Sequence, residues 1–378
     1  MTTQAPPRER GQPRTADFAD WTSAETVETR FGSFEFMNGH PTAAATERLH
    51  ELRTFNSAVE CYLSQVLAVS MFHFRDGFEE MGADAANKVV ISETLVDAAS
   101  MFLTSNTETV YGSNFLDLGR DGPTVVEAPP RIYGGTVDMW TRSIEEIGPA
   151  GPDQGKGGKY LFLPPDYRGP VPGGYFVVKS PTFGIWLAVR GFLVDGKLDL
   201  ALALMRSVKI YPLALASTPP AMAYINMSDD PYDRVLPDDY TFFESLSALV
   251  DQEPADAIPA ADRFLLASMG IQKGQSFRPD VNTKMLLTEA ACVGAAMARI
   301  DSLASRDPAR VVYSDRRWEL AFLRAGRRDE LDRDGGRPAR DPLSAGRALD
   351  ARVLQPIVDE RRFRADTPSV AGAGATIQ

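Results

Sequence analysis

Asp138, Trp140 and Arg142 stand at alternate positions near the middle of the chain. On a strand, that spacing puts three side chains on one face. An acid, an indole and a guanidinium together suit a flat polar or sugar-like ligand, held by stacking and bidentate hydrogen bonds. The plainer reading is a buried Arg–Asp pair beside a core tryptophan. Asn106, Thr109 and Tyr111 form a second polar set, in a run that alternates with period two. They could line a polar pocket, or be good strand residues with Asn106 capping a turn. Arg190 lies among Ile185, Trp186, Leu187 and Val189. A charge in a buried strand needs a partner, and Asp138 is a candidate. General acid or base work in such a pocket would fall to Asp138 or Tyr111.

Lys156 and Lys159 belong to Gly155-Lys-Gly-Gly-Lys159 and could hold an anion at a loop mouth. The run is not a phosphate loop. That motif needs GxxxxGK[ST] between a strand and a helix, whereas Lys159 is followed by the apolar run Tyr160-Leu-Phe-Leu163. A tight glycine turn in a hairpin explains the same residues.

Other chemistries have weaker signals. His40, His50 and His73 are the only histidines, with no HxH or HExxH spacing, so no metal site is read from them. Asp229, Asp230 and Asp233 could supply oxygen ligands but read as a solvated turn. No GxSxG occurs, and the sequence names no cofactor. Cys61 and Cys292 lack a CxxC partner and read as buried free thiols. The formal net charge of -11 opposes a nucleic-acid surface, which needs clustered Lys and Arg. No apolar run approaches the ~20 residues of a membrane span, and the first residues lack a signal-peptide core. A cytoplasmic location is the default expectation. A polar small molecule is the expected partner, and self-association into a homo-oligomer is left open.

The elements that would position these residues read as helix, β block, helical block. Residues 1–29 look like a flexible arm. Phe31–Phe36 suits a short strand. Thr42 caps a long amphipathic helix running to about Met71. Short strand candidates follow at Val89–Ser92, Thr104–Leu118, Thr124–Glu127, Ile132–Trp140, Lys159–Leu163, Tyr175–Lys179 and Gly184–Val194, separated by Gly, Pro and Asp turns. Such a series points to an antiparallel sandwich-like domain. Leu198–Val208, a helix capped by Asp238 or Asp239, Ile258–Met269 and Asn282–Leu303 read as helices, the last with Leu286, Val293, Met297 and Ile300 along one stripe. The class is α+β, with a helix plus sandwich-like domain over 30–215 and a helical block over 216–323.

Leu103–Tyr111, Gly122–Pro129, Asp138-Met-Trp140, Gly151–Leu161, Pro164-Pro165 and Lys209–Leu213 together resemble the bacterial family called domain of unknown function 1254. Gly270–Pro279 and Asp315-Arg-Arg-Trp318 resemble its longer members. The resemblance implies a β domain flanked by helices, usually followed by a second β-rich domain of unknown function 1214. It brings no activity, cofactor or catalytic residue. Residues 324–378 depart from the pattern: they are Arg-rich, lack lysine and hold one aromatic residue, Phe363. A disordered tail is expected there, arising from a frame shift or truncation.

Two function classes fit. One is an enzyme on a polar small molecule or saccharide, with Asn106, Thr109, Tyr111, Asp138, Trp140 and Arg190 in its pocket and Lys156 and Lys159 at the mouth. The other is a non-catalytic binding or scaffold module, or an inactive truncated member.

Overall fold

The computed structural model describes residues 24–95, 107–228, 236–303 and 315. The chain divides into two compact units, Met1–Ser57 and Ala58–Gln378.

In the first unit, β1 (Ala24–Thr29) pairs antiparallel with β2 (Gly32–Met37), and β2 with β3 (His40–Pro41). The expected arm therefore gives way to a strand at Ala24, because Val27 and its flanking threonines suit a pleated ribbon. The Arg48 guanidinium donates to the Ser33 and Phe31 carbonyls, each at 3.2 Å, and lies 5.3 Å from the centre of the Phe34 ring.

Helix α1 (Ala43–Glu80) begins with the expected cap, the Ala45 N–H donating to Thr42 Oγ1 at 3.2 Å. It runs on to Glu80 instead of ending near Met71. Phe74 and Phe78, four residues apart, extend its apolar face, and their rings lie 4.8 Å apart. Gly82, at φ +95°, follows the helix end.

Two sheets form the second unit's β portion. The first has six strands in the order β13 (Ala223–Asn226), β4 (Lys88–Ile91), β5 (Thr109–Asp117), β11 (Gly184–Phe192), β7 (Ile132–Asp138) and β8 (Ser143–Ile147). The second has four, in the order β10 (Phe176–Lys179), β9 (Gly158–Leu163), β6 (Thr124–Ala128) and β12 (Lys209–Pro212). The α+β class holds. Both sheets are mixed, however: β4–β13 and β9–β10 are parallel pairs. The turn-rich spacing that suggested a wholly antiparallel domain does not reveal which edge strand arrives by a longer path.

One face of the six-stranded sheet supplies Val110, Leu116, Ile132, Ile185, Leu187 and Val189 to a core shared with Val126, Tyr160, Phe162, Val178 and Ile210 of the four-stranded sheet. Helix α2 (Leu198–Met205) adds Ala201 and Met205. The opposite face packs Val90 and Phe115 against Ala68, Met71 and Phe78 of α1. So β5 and β11 alternate between two apolar environments; β11 is a nearly continuous apolar run, whereas β5 carries Thr109, Ser113 and Asn114 as buried polar residues.

The helical block contains α3 (Thr241–Gln252), α4 (Ala260–Ser268) and α5 (Val281–Leu303). Asp239 Oδ1 accepts the Thr241 N–H at 2.9 Å, so the aspartate acts at the expected helix start. On α5 the buried stripe is not the expected one. Leu287, Ala290, Ala291, Ala295 and Ala298 are buried, while Met297 and Ile300 face outward. Close packing explains the choice: a Cβ on Gly294 would stand 2.7 Å from Tyr62 Cδ1, so only a small-residue face lets α5 approach that ring. Cys61 is buried, as expected, but Cys292 is exposed and donates its thiol to the Asp238 carbonyl at 3.1 Å; neither cysteine is in a disulfide. Burial, with the nearby Asp262 and Glu60 carboxylates, pushes the Cys61 thiol far up, so it stays protonated and inert.

Candidate functional site

Asp138 is the last residue of β7, and the alternation expected through Arg142 stops there. Its buried carboxylate closes a tight turn. Oδ1 accepts the Trp140 and Arg142 backbone N–H groups, each at 2.9 Å, and Oδ2 accepts Arg142 Nε at 2.6 Å. Thr141 takes φ +59° within that turn. Burial raises the Asp138 carboxyl above the ordinary range, against the pull of Arg142 and the two backbone donors. Trp140 turns away and donates Nε1–H to Gln65 Oε1 at 2.9 Å; the buried Gln65 in turn donates to Asp262 Oδ2 at 3.1 Å. The three residues thus form a turn and its supports, with no shared strand face.

Arg190 and Asp138 do not meet. Asp138 is in register with Ile185, whereas Arg190 is in register with Tyr111 on β5 and Tyr133 on β7. Residues 185 and 190 differ by an odd number, so the two charges lie on opposite faces of the sheet. Arg190 is half-buried, its guanidinium carbon 4.7 Å from the centre of the Tyr133 ring. Among the described residues it makes no side-chain hydrogen bond and no ion pair.

The surroundings of Arg190 are well fixed. The Tyr111 N–H donates to Ser92 Oγ at 2.9 Å, and the Ser92 N–H donates to the Tyr111 carbonyl at 3.0 Å. One row along the same face stand Ser113, Ala188 and Gly135, side by side on β5, β11 and β7. Ser113 Oγ accepts Trp186 Nε1–H at 2.7 Å and donates to the Leu187 carbonyl at 3.0 Å. A Cβ on Gly135 would stand 3.1 Å from Glu146 Oε2, so the missing side chain leaves room for that carboxylate over the sheet. Small residues in this row lie beside a row of Tyr111, Arg190 and Tyr133. The result is an aromatic and cationic row beside a row of small residues over which the Glu146 carboxylate lies. Thr109 is buried one step further along, in register with the exposed Phe192, whose ring lies 6.5 Å from Tyr133.

The glycine-rich loop is organised by a residue the sequence reading passed over. Buried Asp153 accepts the Gly148 N–H at 2.8 Å, the Gly157 N–H at 3.0 Å and the Tyr160 hydroxyl at 2.8 Å. Gly157, at φ +76°, passes so close to the preceding strand that a Cβ would sit 2.7 Å from the Ala128 carbonyl oxygen. These donors serve the loop itself and are not aimed at a ligand. Lys156 is exposed at its tip. Lys159 lies on the outer face of the four-stranded sheet and pairs with Glu127 at 2.9 Å. Glu127 also faces Lys209 at 3.7 Å and accepts the Tyr211 hydroxyl at 2.5 Å. Burial pushes Glu127 up, but the tyrosine hydroxyl and the lysines outweigh it and hold the carboxyl below its usual range.

The structure therefore gathers Thr109, Tyr111 and Arg190 on one sheet face. It places Asp138 and Trp140 in a turn, and Lys156 and Lys159 elsewhere. Asn106 and the Asp229–Asp233 run lie outside the described residues. Among the described residues no group of three or more His, Cys, Asp or Glu is placed to hold a metal ion. Tyr133 and Gly135 were missed because only strand register brings them beside Arg190. Glu253 was missed too. It is buried, its two oxygens accept the Phe183 N–H at 2.7 Å and the Gly184 N–H at 2.8 Å, and burial raises its carboxyl to about 7.

Residues 86–212 match the family described as "Protein of unknown function (DUF1254)", and that span holds both sheets except β13. The resemblance read from the sequence motifs is thus confirmed over this segment. The fold is similar to the crystal structure of the VPA0106 protein from Vibrio parahaemolyticus, with a TM-score of 0.50 and 14% identity over 82% of this chain and 67% of that one. This likeness concerns the fold alone. No match was found among curated proteins. Among the described residues no helix is long and apolar enough to cross a membrane.

Proposed function

We propose that this chain binds a small polar molecule through an anionic group, on the face of the six-stranded sheet that carries Tyr111, Arg190 and Tyr133. One observation carries the reading: a half-buried guanidinium in mid-strand without a carboxylate partner among the described residues. Partly desolvating a cation without compensation is costly. An incoming carboxylate would accept two parallel N–H bonds from the planar fork, a geometry lysine cannot copy. The Tyr133 ring, 4.7 Å from the guanidinium carbon, restrains the side chain in advance, so less of its freedom is lost on binding. The Glu146 carboxylate lies over Gly135 in the neighbouring row, so the ligand's anionic group is read at the Arg190 fork and not over that row. The acidic net charge favours such a partner over nucleic acid, and a cytoplasmic setting belongs to the same reading.

A thermal-shift screen with acetate, benzoate, glucuronate, inorganic phosphate and glucose tests this. A carboxylate at a hundred times its Kd stabilises by about 2.7 kcal/mol. The expected result is a rise in Tm with one or more carboxylates, lost in Arg190→Gln, and none with glucose. An equal response in Arg190→Gln overturns the reading.

Turnover at the same place is the second reading, favoured by the position of Tyr111 on the strand beside Arg190. Asp138 is a poor acid or base for it, since both its oxygens are engaged on the other face. Tyr111→Phe leaving binding intact while abolishing turnover would support catalysis; unchanged turnover would remove it.

A further inference from the structure

Arg190 stands between two unlike neighbours on its sheet face. On one side lie Ser113, Ala188 and Gly135, with the Glu146 carboxylate over Gly135. On the other side β11 ends at Phe192, two residues on and therefore on the same face. Phe192 is 53% exposed. Tyr133 joins cation and exposed ring: its centre lies 4.7 Å from the Arg190 guanidinium carbon and 6.5 Å from the centre of the Phe192 ring. Along the strand the Cα atoms of Arg190 and Phe192 are ~6.8 Å apart, a step that one ring carrying one carboxylate can bridge.

These placements give a bound molecule a direction. A body lying toward the small row would cover the Glu146 carboxylate and cost it hydration. A body lying toward Phe192 covers apolar surface instead. Aromatic pairs are favoured beyond the area they bury, at centre separations of ~4.5–7 Å. A planar aryl body therefore gains more at Phe192 than a saturated one of the same size. A sugar body fits less well, because the nearby serine hydroxyls are already committed. Ser113 Oγ accepts from Trp186 and donates to the Leu187 carbonyl, and Ser92 Oγ accepts the Tyr111 N–H. Thr109, in register with Phe192, is buried. Sugar hydroxyls placed here would lose water for few partners among the described residues.

We infer that the molecule held at Arg190 is an aryl carboxylate, with its carboxylate on the guanidinium and its ring on Phe192. This rests on the reading of Arg190 given above and narrows it to a ligand class.

Isothermal titration of the full-length chain with acetate, cyclohexanecarboxylate and benzoate tests it. The first carries the charge alone, the second adds a saturated body and the third an aromatic one. Benzoate is expected to bind at least about threefold more tightly than cyclohexanecarboxylate, and more tightly still than acetate. Phe192→Ala, at an exposed position, is expected to lower the ratio of benzoate to acetate affinity about tenfold, and Phe192→Tyr to keep it. Equal affinities for benzoate and cyclohexanecarboxylate, or an unchanged ratio in Phe192→Ala, overturn the inference. If acetate binds and Arg190→Gln abolishes that binding while Phe192→Ala leaves the ratio alone, the Arg190 site stands and only the aryl assignment falls. If no carboxylate binds, or Arg190→Gln is without effect, the Arg190 site itself is lost and the aryl assignment with it.

Discussion

Arg142 and Arg190 both lie over an aromatic ring, Trp140 at 5.5 Å and Tyr133 at 4.7 Å, yet they do opposite things. Arg142 is exposed and meets a buried carboxylate at 2.6 Å. Arg190 is half-buried and has no ion pair among the described residues. The first is complete: Asp138 is saturated by two backbone donors and one guanidinium. The second has donors with no acceptor among the described residues, which is what the proposed carboxylate site rests on. The contrast shows that a ring beside an arginine says little about function. Whether the counter-charge is already present separates a structural arginine from a recognition arginine.

The comparison breaks first at Asp138. Asp138→Ala removes the turn's acceptor and strands buried backbone donors, and is expected to destabilise by about 3–4 kcal/mol in urea unfolding. A loss below about 1 kcal/mol would make Asp138 available for other work and weaken the distinction. Glu253 sharpens it, being a second saturated carboxylate in the same unit. Its folded value of about 7 lies above the ordinary carboxylate range, so the folded state binds the extra proton. Stability should therefore fall as pH rises from about 4.5 to 7, by roughly 2–3 kcal/mol, and level off above. Glu253→Gln should flatten that slope, as read from urea midpoints across pH. Asp153→Ala is expected to cost about 2 kcal/mol and to free the loop's N–H groups. The smallest effect belongs to Arg190→Gln. Without ligand its urea midpoint should move by less than about 1 kcal/mol in either direction, because no ion pair is broken. A loss as large as that of Asp138→Ala would mean that Arg190 is structural after all.

Much of the fold could be read in the chain. Thr42 and Asp239 start helices where their side-chain chemistry predicts, and most short β candidates become strands because period-two patterns are local. What failed was non-local. Asp138, Trp140 and Arg142 look like one strand face until a carboxylate captures two N–H groups and ends the strand, and nothing in the alternation shows that capture. The α5 stripe was misread because two apolar faces compete, and the winner was decided by Tyr62, more than two hundred residues away in sequence. Of the candidate site, Thr109, Tyr111 and Arg190 were legible as types. That Arg190 stands between two tyrosines depends on the register of β11 with β5 and β7, which no single strand encodes.

The carboxylate of Glu253 sits just past the end of α3 and holds the N–H groups of Phe183 and Gly184, at the entrance to the strand that carries Arg190. Those two amides are shielded by a side chain from the helical block as well as by their own sheet. Their exchange with deuterated solvent therefore keeps time for the block's departure from the strand. If they exchange at the pace of the β11 interior, the two part only when the whole unit opens. If they run ahead of it, the block lifts by itself, and the pair of amides is a clock already built into the chain for watching it do so.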